Sequence, residues 1–147
     1  MFSSFENKAM KIKIINGVNM GLLGTREVPL YGATSFDAYF QQLSEKYPDV
    51  TLAYEQHDSL DALVKAIHAA AGYDGVILNP GAYTHTSIVL ADAVKAVSVP
   101  VVEVHVTNLF ARENYRRKSY LSGCCSGFVA GFGLKGYELA LLSFVKN

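Results

Sequence analysis

Residues 101–116 read VVEVHVTNLFARENYR, a β-branched run that passes at once into a charged one. Val101, Val102, Val104 and Val106 form a run too short and too branched for a stable helix, so it predicts a strand buried on both faces. Glu103 and His105 interrupt it. Standing two apart in a strand, they share one face, one pleat repeat from each other. A carboxylate beside an imidazole orients the ring and favours its protonated form. A lone histidine here reads as a core residue or half of a buried ion pair. Two features point to chemistry instead: the pair lies at the carboxyl end of the strand, and Arg112, Arg116 and Arg117 follow directly. In open α/β sheets ligands collect at that edge.

The segment before this strand has a similar layout. Val76, Ile77 and Leu78 predict a third strand ending at Asn79 and a Pro80-Gly81 turn. Tyr83-Thr84-His85-Thr86-Ser87 follows, a polar cluster that starts a helix over residues 87–97, whose free N–H groups favour an anion. Its plain reading is an N-cap with spare hydroxyls, although a histidine in the cap turn is less ordinary. Asp92 stands on that helix amid Ile88, Val89, Leu90 and Ala91. It reads as exposed, or as facing a partner subunit.

Further out, residues 11–15 and 50–54 predict two strands, Asn16 closing the first, and residues 127–130 a fifth. Thr34 with Asp37 resembles a capping box for a helix carrying Phe36, Phe40 and Leu43 and running to Tyr47. Asp58 with Asp61 is the expected cap of a second helix, with Leu60, Leu63, Val64 and Ile67 as its buried stripe. His57 and His68 read as structural or surface residues. Leu134, Tyr137, Leu141 and Phe144 form a last stripe. Strands and helices alternate throughout. The expected fold is therefore a single-domain α/β, flavodoxin-like doubly wound sheet of five parallel strands in the order 2-1-3-4-5.

Residues 17–32, GVNMGLLGTREVPLYG, carry four glycines and one proline with no sustained period, which predicts a long loop. Leu22, Leu23, Leu30 and Tyr31 are apolar groups suited to folding over a pocket as a lid. The spacing of Gly17, Gly21 and Gly24 is not G-x-G-x-x-G and no GK[ST] follows, so a nucleotide fingerprint is rejected.

Thirteen basic and thirteen acidic residues cancel, which argues against partners bound by bulk charge, nucleic acid and membrane surface alike. The 147 residues, half of them apolar, suit one domain over residues 11–147, preceded by a loose leader over residues 1–10, with Met10 as an alternative start. No stretch has the pattern of a signal peptide or the length of a membrane span, so a cytoplasmic protein is expected. Cys124 and Cys125 are adjacent, which holds their Cα atoms about 3.8 Å apart, below the usual disulfide range. The histidines and cysteines lack the spacing of a metal site.

Six separated motifs then fall into one pattern: ING-x-N at residues 15–19, LGTRE at 23–27 with Tyr31-Gly32, NPGAYTHTS at 79–87, EVH at 103–105, ARE-x-x-R at 111–116 and SYLS at 119–122. In that order the chain resembles the type II 3-dehydroquinases, or 3-dehydroquinate dehydratases, over roughly residues 11–144. The resemblance implies cofactor-free and metal-free dehydration of 3-dehydroquinate to 3-dehydroshikimate through an enolate, in the shikimate pathway or in quinate breakdown. It implies that Tyr31 is the base, with Arg26 from the lid and Arg112 from outside it supplying the cations a phenolate needs, since a free tyrosine is mostly protonated at neutral pH. Asn19 would hold a water on the enolate, and His105, oriented by Glu103, would protonate the leaving hydroxyl. Asn79 with the backbone of Val106 and Thr107 matches the substrate carboxylate site; His85 and Arg116 match the ring-hydroxyl contacts. Asp92 matches an acid that reaches into a neighbouring subunit, in a family of trimers commonly assembled into dodecamers.

The chain departs from that pattern at a few places. Val18 stands for a usual proline, Val28 precedes Pro29 where R-E-P is usual, Leu60 replaces a common glutamate and Phe110 a frequent histidine. The first two loosen φ restraints in the lid. Two other classes compete: a flavodoxin-fold binding module without activity, and a flavin or nucleotide protein. Five retained polar groups, Tyr31, Arg26, Asn19, Glu103 and His105, argue against the first, and the missing phosphate loop against the second. A Schiff-base route would need a lysine, and none lies in the six motifs.

Overall fold

The largely apolar runs at residues 12–15, 76–78 and 101–104 become strands in the computed structural model, which describes residues 8–145. β1 (Met10–Asn16), β2 (Val50–Gln56), β3 (Gly75–Asn79), β4 (Val101–His105) and β5 (Gly127–Ala130) pair in parallel, in the order β2-β1-β3-β4-β5. This is the doubly wound order expected from right-handed crossovers. The register aligns Asn16 with both Gln56 and Asn79, and His105 with Ala130, so the polar carboxyl ends form one edge.

Helices α1 (Val28–Tyr31), α2 (Phe36–Lys46), α3 (Leu60–His68), α4 (Ile88–Ala96) and α5 (Lys135–Phe144) complete the chain. The pleat sorts the core into two layers. On one side Ile12, Ile14, Ile77, Val102 and Val104 meet Phe36 and Leu43 of α2 and Tyr137, Ala140 and Leu141 of α5. On the other, Ile15, Val76, Leu78 and Val101 meet Leu63 and Ile67 of α3 and Leu90 and Val94 of α4.

Several local expectations shift. Residues 1–7 of the expected leader lie outside the described residues, and Met10 belongs to β1 rather than to a leader. Ser35 and not Thr34 caps α2, its hydroxyl accepting the Ala38 N–H at 3.2 Å. Ser59 and not Asp58 caps α3 in the same way, through Ala62. Asp58 is engaged elsewhere, accepting the Asn19 N–H and the Gln56 side-chain amide. Between β3 and α4 the chain first makes a 3-10 turn, Gly81–His85, so the α-helix starts after it with Ser87 as its cap.

The long loop also holds short helical turns, Met20–Leu22 and α1, the latter started by Val28 and Pro29, whose fixed φ suits a first turn. Leu23 and Phe36 anchor it in the core, and no residue between them is buried. Leu22 and Leu30, expected to fold inward, stay exposed at 55% and 42%. Only Tyr31 of the residues between the anchors packs against the core.

Candidate active site

The carboxyl edge of the sheet opens into a cavity of about 160 Å³. Asn19, Arg26, Tyr31, Asn79, His85, His105, Val106, Thr107, Arg112 and Arg116 line it, which brings together all but two of the residues singled out in the sequence. Glu103 lies behind His105, fully buried. Asp92 stands exposed on α4, away from its own chain's cavity. Three guanidiniums and no carboxylate, among the described residues, face the space, so it favours a small anion.

β4 sets the acidic wall. The pleat stacks Glu103 and His105, and His105 Nε2–H donates to Glu103 Oε1 at 2.7 Å, which leaves Nδ1 as the nitrogen free for a ligand. His85 enters from the 3-10 turn. Its Nδ1–H donates to the Lys118 carbonyl at 2.6 Å, so Nε2 is the acceptor, and its ring stacks on that of His105 at 6.2 Å. Burial holds His85 below the usual imidazole range; the Lys118 carbonyl pulls the other way, while His105 and Arg116 add to the depression.

Tyr31 faces this wall from the loop. Its hydroxyl oxygen accepts from Arg26 Nη2 at 3.2 Å and from Arg112 Nη1 at 2.9 Å, the first within the loop and the second across from it. The Arg26 guanidinium also lies 4.3 Å from the Tyr31 ring centre. Positive charge is thus placed where a phenolate would form. Arg112 reaches Thr107 Oγ1 as well, at 3.4 Å, and Arg116 Nε is held by Glu113 at 3.0 Å.

Asn19 sits in the left-handed region at φ 67°, which asparagine tolerates better than most residues. Gln56 and Asp58 hold the loop there: Gln56 Nε2 donates to the Gly17 carbonyl and to Asp58, and Asp58 takes the Asn19 N–H. Asn79 is fixed from below. Its Nδ2 donates to Tyr137 Oη at 2.9 Å and to Met20 Sδ at 3.4 Å, and its Oδ1 accepts the Gly81 N–H. The sulfur contact is the weak one, so that hydrogen is the one a bound anion would draw away.

Gln56, Asp58, Thr84, Ser119 and Tyr137 support this site and were not singled out as site residues in the sequence. Tyr137 hides because it falls on a helical stripe, where an aromatic residue reads as core. Thr84 and Ser119 lie inside recognised motifs but carry no charge and no periodic signal.

A tyrosine hydroxyl held between two guanidiniums thus shares the cavity with a histidine backed by a carboxylate, beside space for a small anion. The dehydroquinase class II family model matches residues 10–145. The 3-dehydroquinate dehydratase of an Exiguobacterium species is 45% identical over 139 residues, 94% of this chain and 96% of that one. That of Erwinia tasmaniensis is 44% identical over 141 residues, 94% of each chain. Among solved structures, type II dehydroquinase from Propionibacterium acnes superposes with a TM-score of 0.86 at 39% identity, covering 90% of this chain and 94% of that one.

Proposed function

The chain belongs to the dehydroquinase class II family, and on that premise we propose which of its groups carry each step by which 3-dehydroquinate loses water to give 3-dehydroshikimate. The activity is that of a type II 3-dehydroquinate dehydratase, a hydro-lyase of the shikimate pathway. The substrate carboxylate is received by Asn79 and the backbone N–H groups of Val106 and Thr107. Its ring hydroxyls meet His85 Nε2 and Arg116. Tyr31, as phenolate between Arg26 and Arg112, takes the proton beside the ketone; the C–H electrons pass into an enolate, whose oxygen is held by a water on Asn19. The enolate then expels the β-hydroxyl, which leaves as water by taking a proton from His105. Tyr31 ends protonated and His105 neutral, so one proton must return through solvent to reset the pair.

The observation that carries this assignment is the Tyr31 hydroxyl held by Arg26 and Arg112 opposite the Glu103–His105 pair. Incubation with 3-dehydroquinate, followed by ultraviolet absorbance, should show the conjugated enone. Borohydride added with substrate should not inactivate the enzyme, because no imine forms. Covalent trapping on a lysine would overturn the enolate route.

The working unit is a trimer, commonly built into a dodecamer, in which Asp92 completes a neighbour's site. Asp92 is exposed beside Ile88 and Val89, which are 61% and 59% exposed, a flank suited to a buried contact. If so, specific activity falls as the protein is diluted through its assembly constant, in step with the mass seen by light scattering. Asp92→Asn should weaken substrate binding more than folding. A monomer with full activity would show that each site is built within one chain. The cytoplasm is the compartment that fits this role, and no helix among the described residues is long and apolar enough to cross a membrane.

A further inference from the structure

The Glu103 carboxylate has no exposed surface, so donors must replace the water that would otherwise solvate its charge. His105 supplies one. The other two come from hydroxyls that the reaction does not use: Thr84 Oγ1 donates to Glu103 Oε1, and Ser119 Oγ lies 3.0 Å from Oε1 and 3.1 Å from Oε2. Ser119 Oγ already accepts the N–H groups of Leu121 at 3.1 Å and Ser122 at 3.0 Å. With both lone pairs engaged, its one hydrogen can only be given, and it cannot accept from a protonated Glu103. The surroundings of this carboxylate are therefore arranged for the anion.

The two hydroxyls also come from the segments that carry the substrate contacts. Thr84 precedes His85 in its 3-10 turn, and Ser119 follows the stretch from Arg116 to Lys118. The segments are bound together by His85 on the Lys118 carbonyl and by the Tyr120 N–H on the Thr84 carbonyl at 2.8 Å. Thr84 and Ser119 lie 2.9 Å apart.

We propose that Thr84 and Ser119 are positioning residues that keep Glu103 ionised and aimed at His105, and so set the charge and orientation of the acid. This rests on the reading of His105 as the acid. Removing either hydroxyl takes away a donor that holds the carboxylate's charge and aim, so His105 keeps its proton less firmly than in the wild type. The other groups facing the pair are His85 and Arg116 in the cavity, Arg112 beyond them, Phe128 of β5 with its ring 5.8 Å from that of His105, and Cys125, whose thiol is pushed up to about 12 by burial first and by Glu103 second. None of these is altered in the variants below, so a shift in profile belongs to the hydroxyls.

The test is the pH dependence of kcat and KM for the wild type, Thr84→Val, Thr84→Ser, Ser119→Ala and His105→Ala. Thr84→Val and Ser119→Ala should lose about tenfold in kcat near neutral pH with little change in KM, and the alkaline limb of kcat, which marks where His105 gives up its proton, should move down by about one pH unit. Thr84→Ser should restore both. An alkaline limb left where the wild type has it, whatever the size of kcat, overturns the proposal, because a merely structural role lowers turnover without moving the limb. Ser119→Ala strips two backbone N–H groups of their acceptor; if it does not fold, the nearly isosteric Thr84→Val decides alone. Full turnover in His105→Ala would defeat the underlying reading of the acid. Lost turnover in His105→Ala with an unmoved limb in Thr84→Val would defeat this inference only.

Discussion

Glu103 and Tyr31 serve the same cavity from opposite conditions. Glu103 is fully buried and receives hydrogen bonds from His105, Thr84 and Ser119, each from a different segment. Tyr31 stands on a loop with nothing buried between Leu23 and Phe36, and among the described residues its hydroxyl is held by two arginines. The loop closes on itself at its neck. Gly24, at φ 96°, packs where a Cβ would lie 3.0 Å from the Ala33 carbonyl oxygen and 3.1 Å from the Ser35 nitrogen. Folding therefore fixes the Glu103–His105 pair in advance, whereas the surroundings of the Tyr31 hydroxyl are completed where a guanidinium of the loop and one of the wall meet on the same oxygen. Segments with few buried contacts open at low cost, which suits a lid that must admit substrate.

The largest expected effect lies on the lid. Tyr31→Phe removes the proposed base and no packing, so kcat should fall by more than about a hundredfold while the melting temperature holds. Near-normal turnover would place the base elsewhere. A variant that lost stability as well would show that the lid is part of the core, and the contrast with the wall would break.

The wall should behave in the opposite way. Tyr137 is fully buried, donating to Asn16 Oδ1 at 2.7 Å and accepting from Asn79. Tyr137→Phe leaves both partners short of a bond inside the core, a loss of about 1–3 kcal/mol. Denaturant unfolding should register that loss, with turnover falling less than in Tyr31→Phe. Unchanged stability would mean that solvent reaches Asn16 and Asn79 beneath the cavity.

How far this contrast can be read from the chain depends on the kind of signal each part leaves. The strands and their order follow from runs such as Val76 to Leu78, since β-branched residues between turn signals admit few other readings. The Glu103–His105 pair is visible because period two puts both on one face. Caps are harder to place. Thr34 beside Ser35 and Asp58 beside Ser59 are equally able to cap, and the choice is settled by long-range contacts, Asp58 being drawn to Asn19 and Gln56. Leu22 and Leu30 look like a lid's inner face but remain outside, because an apolar residue in an aperiodic loop carries no direction. Thr84 and Ser119 meet across 35 positions only through the fold.

The smallest effect concerns the joint between the two regions. α2 begins at the lid's anchor Phe36 and ends at Lys46 and Tyr47, and both of these reach Glu138, the neighbour of Tyr137 on α5. Glu138 Oε1 accepts from Lys46 Nζ at 2.5 Å and from Tyr47 Oη at 2.6 Å. The Lys46 bond first, and the Tyr47 bond second, hold its carboxyl below the usual carboxylate range. A carboxylate depressed by folding adds stability above its unfolded pKa of about 4.3 and gives it up as pH falls through the lower folded value. Glu138→Gln keeps an oxygen for Tyr47 and removes the charge. Its melting temperature should lie about 1–3 °C below that of the wild type at pH 7, with the gap closing from about pH 4 downward. Other carboxylates lower the stability of both proteins in acid, so only the gap between them reports on Glu138. Turnover should not change, since the joint ties α2 to α5 and none of its residues lines the cavity. A gap that stays constant into acid would show that the contact acts through its geometry rather than its charge. A fall in turnover would show that the lid's anchor helix passes strain to the wall.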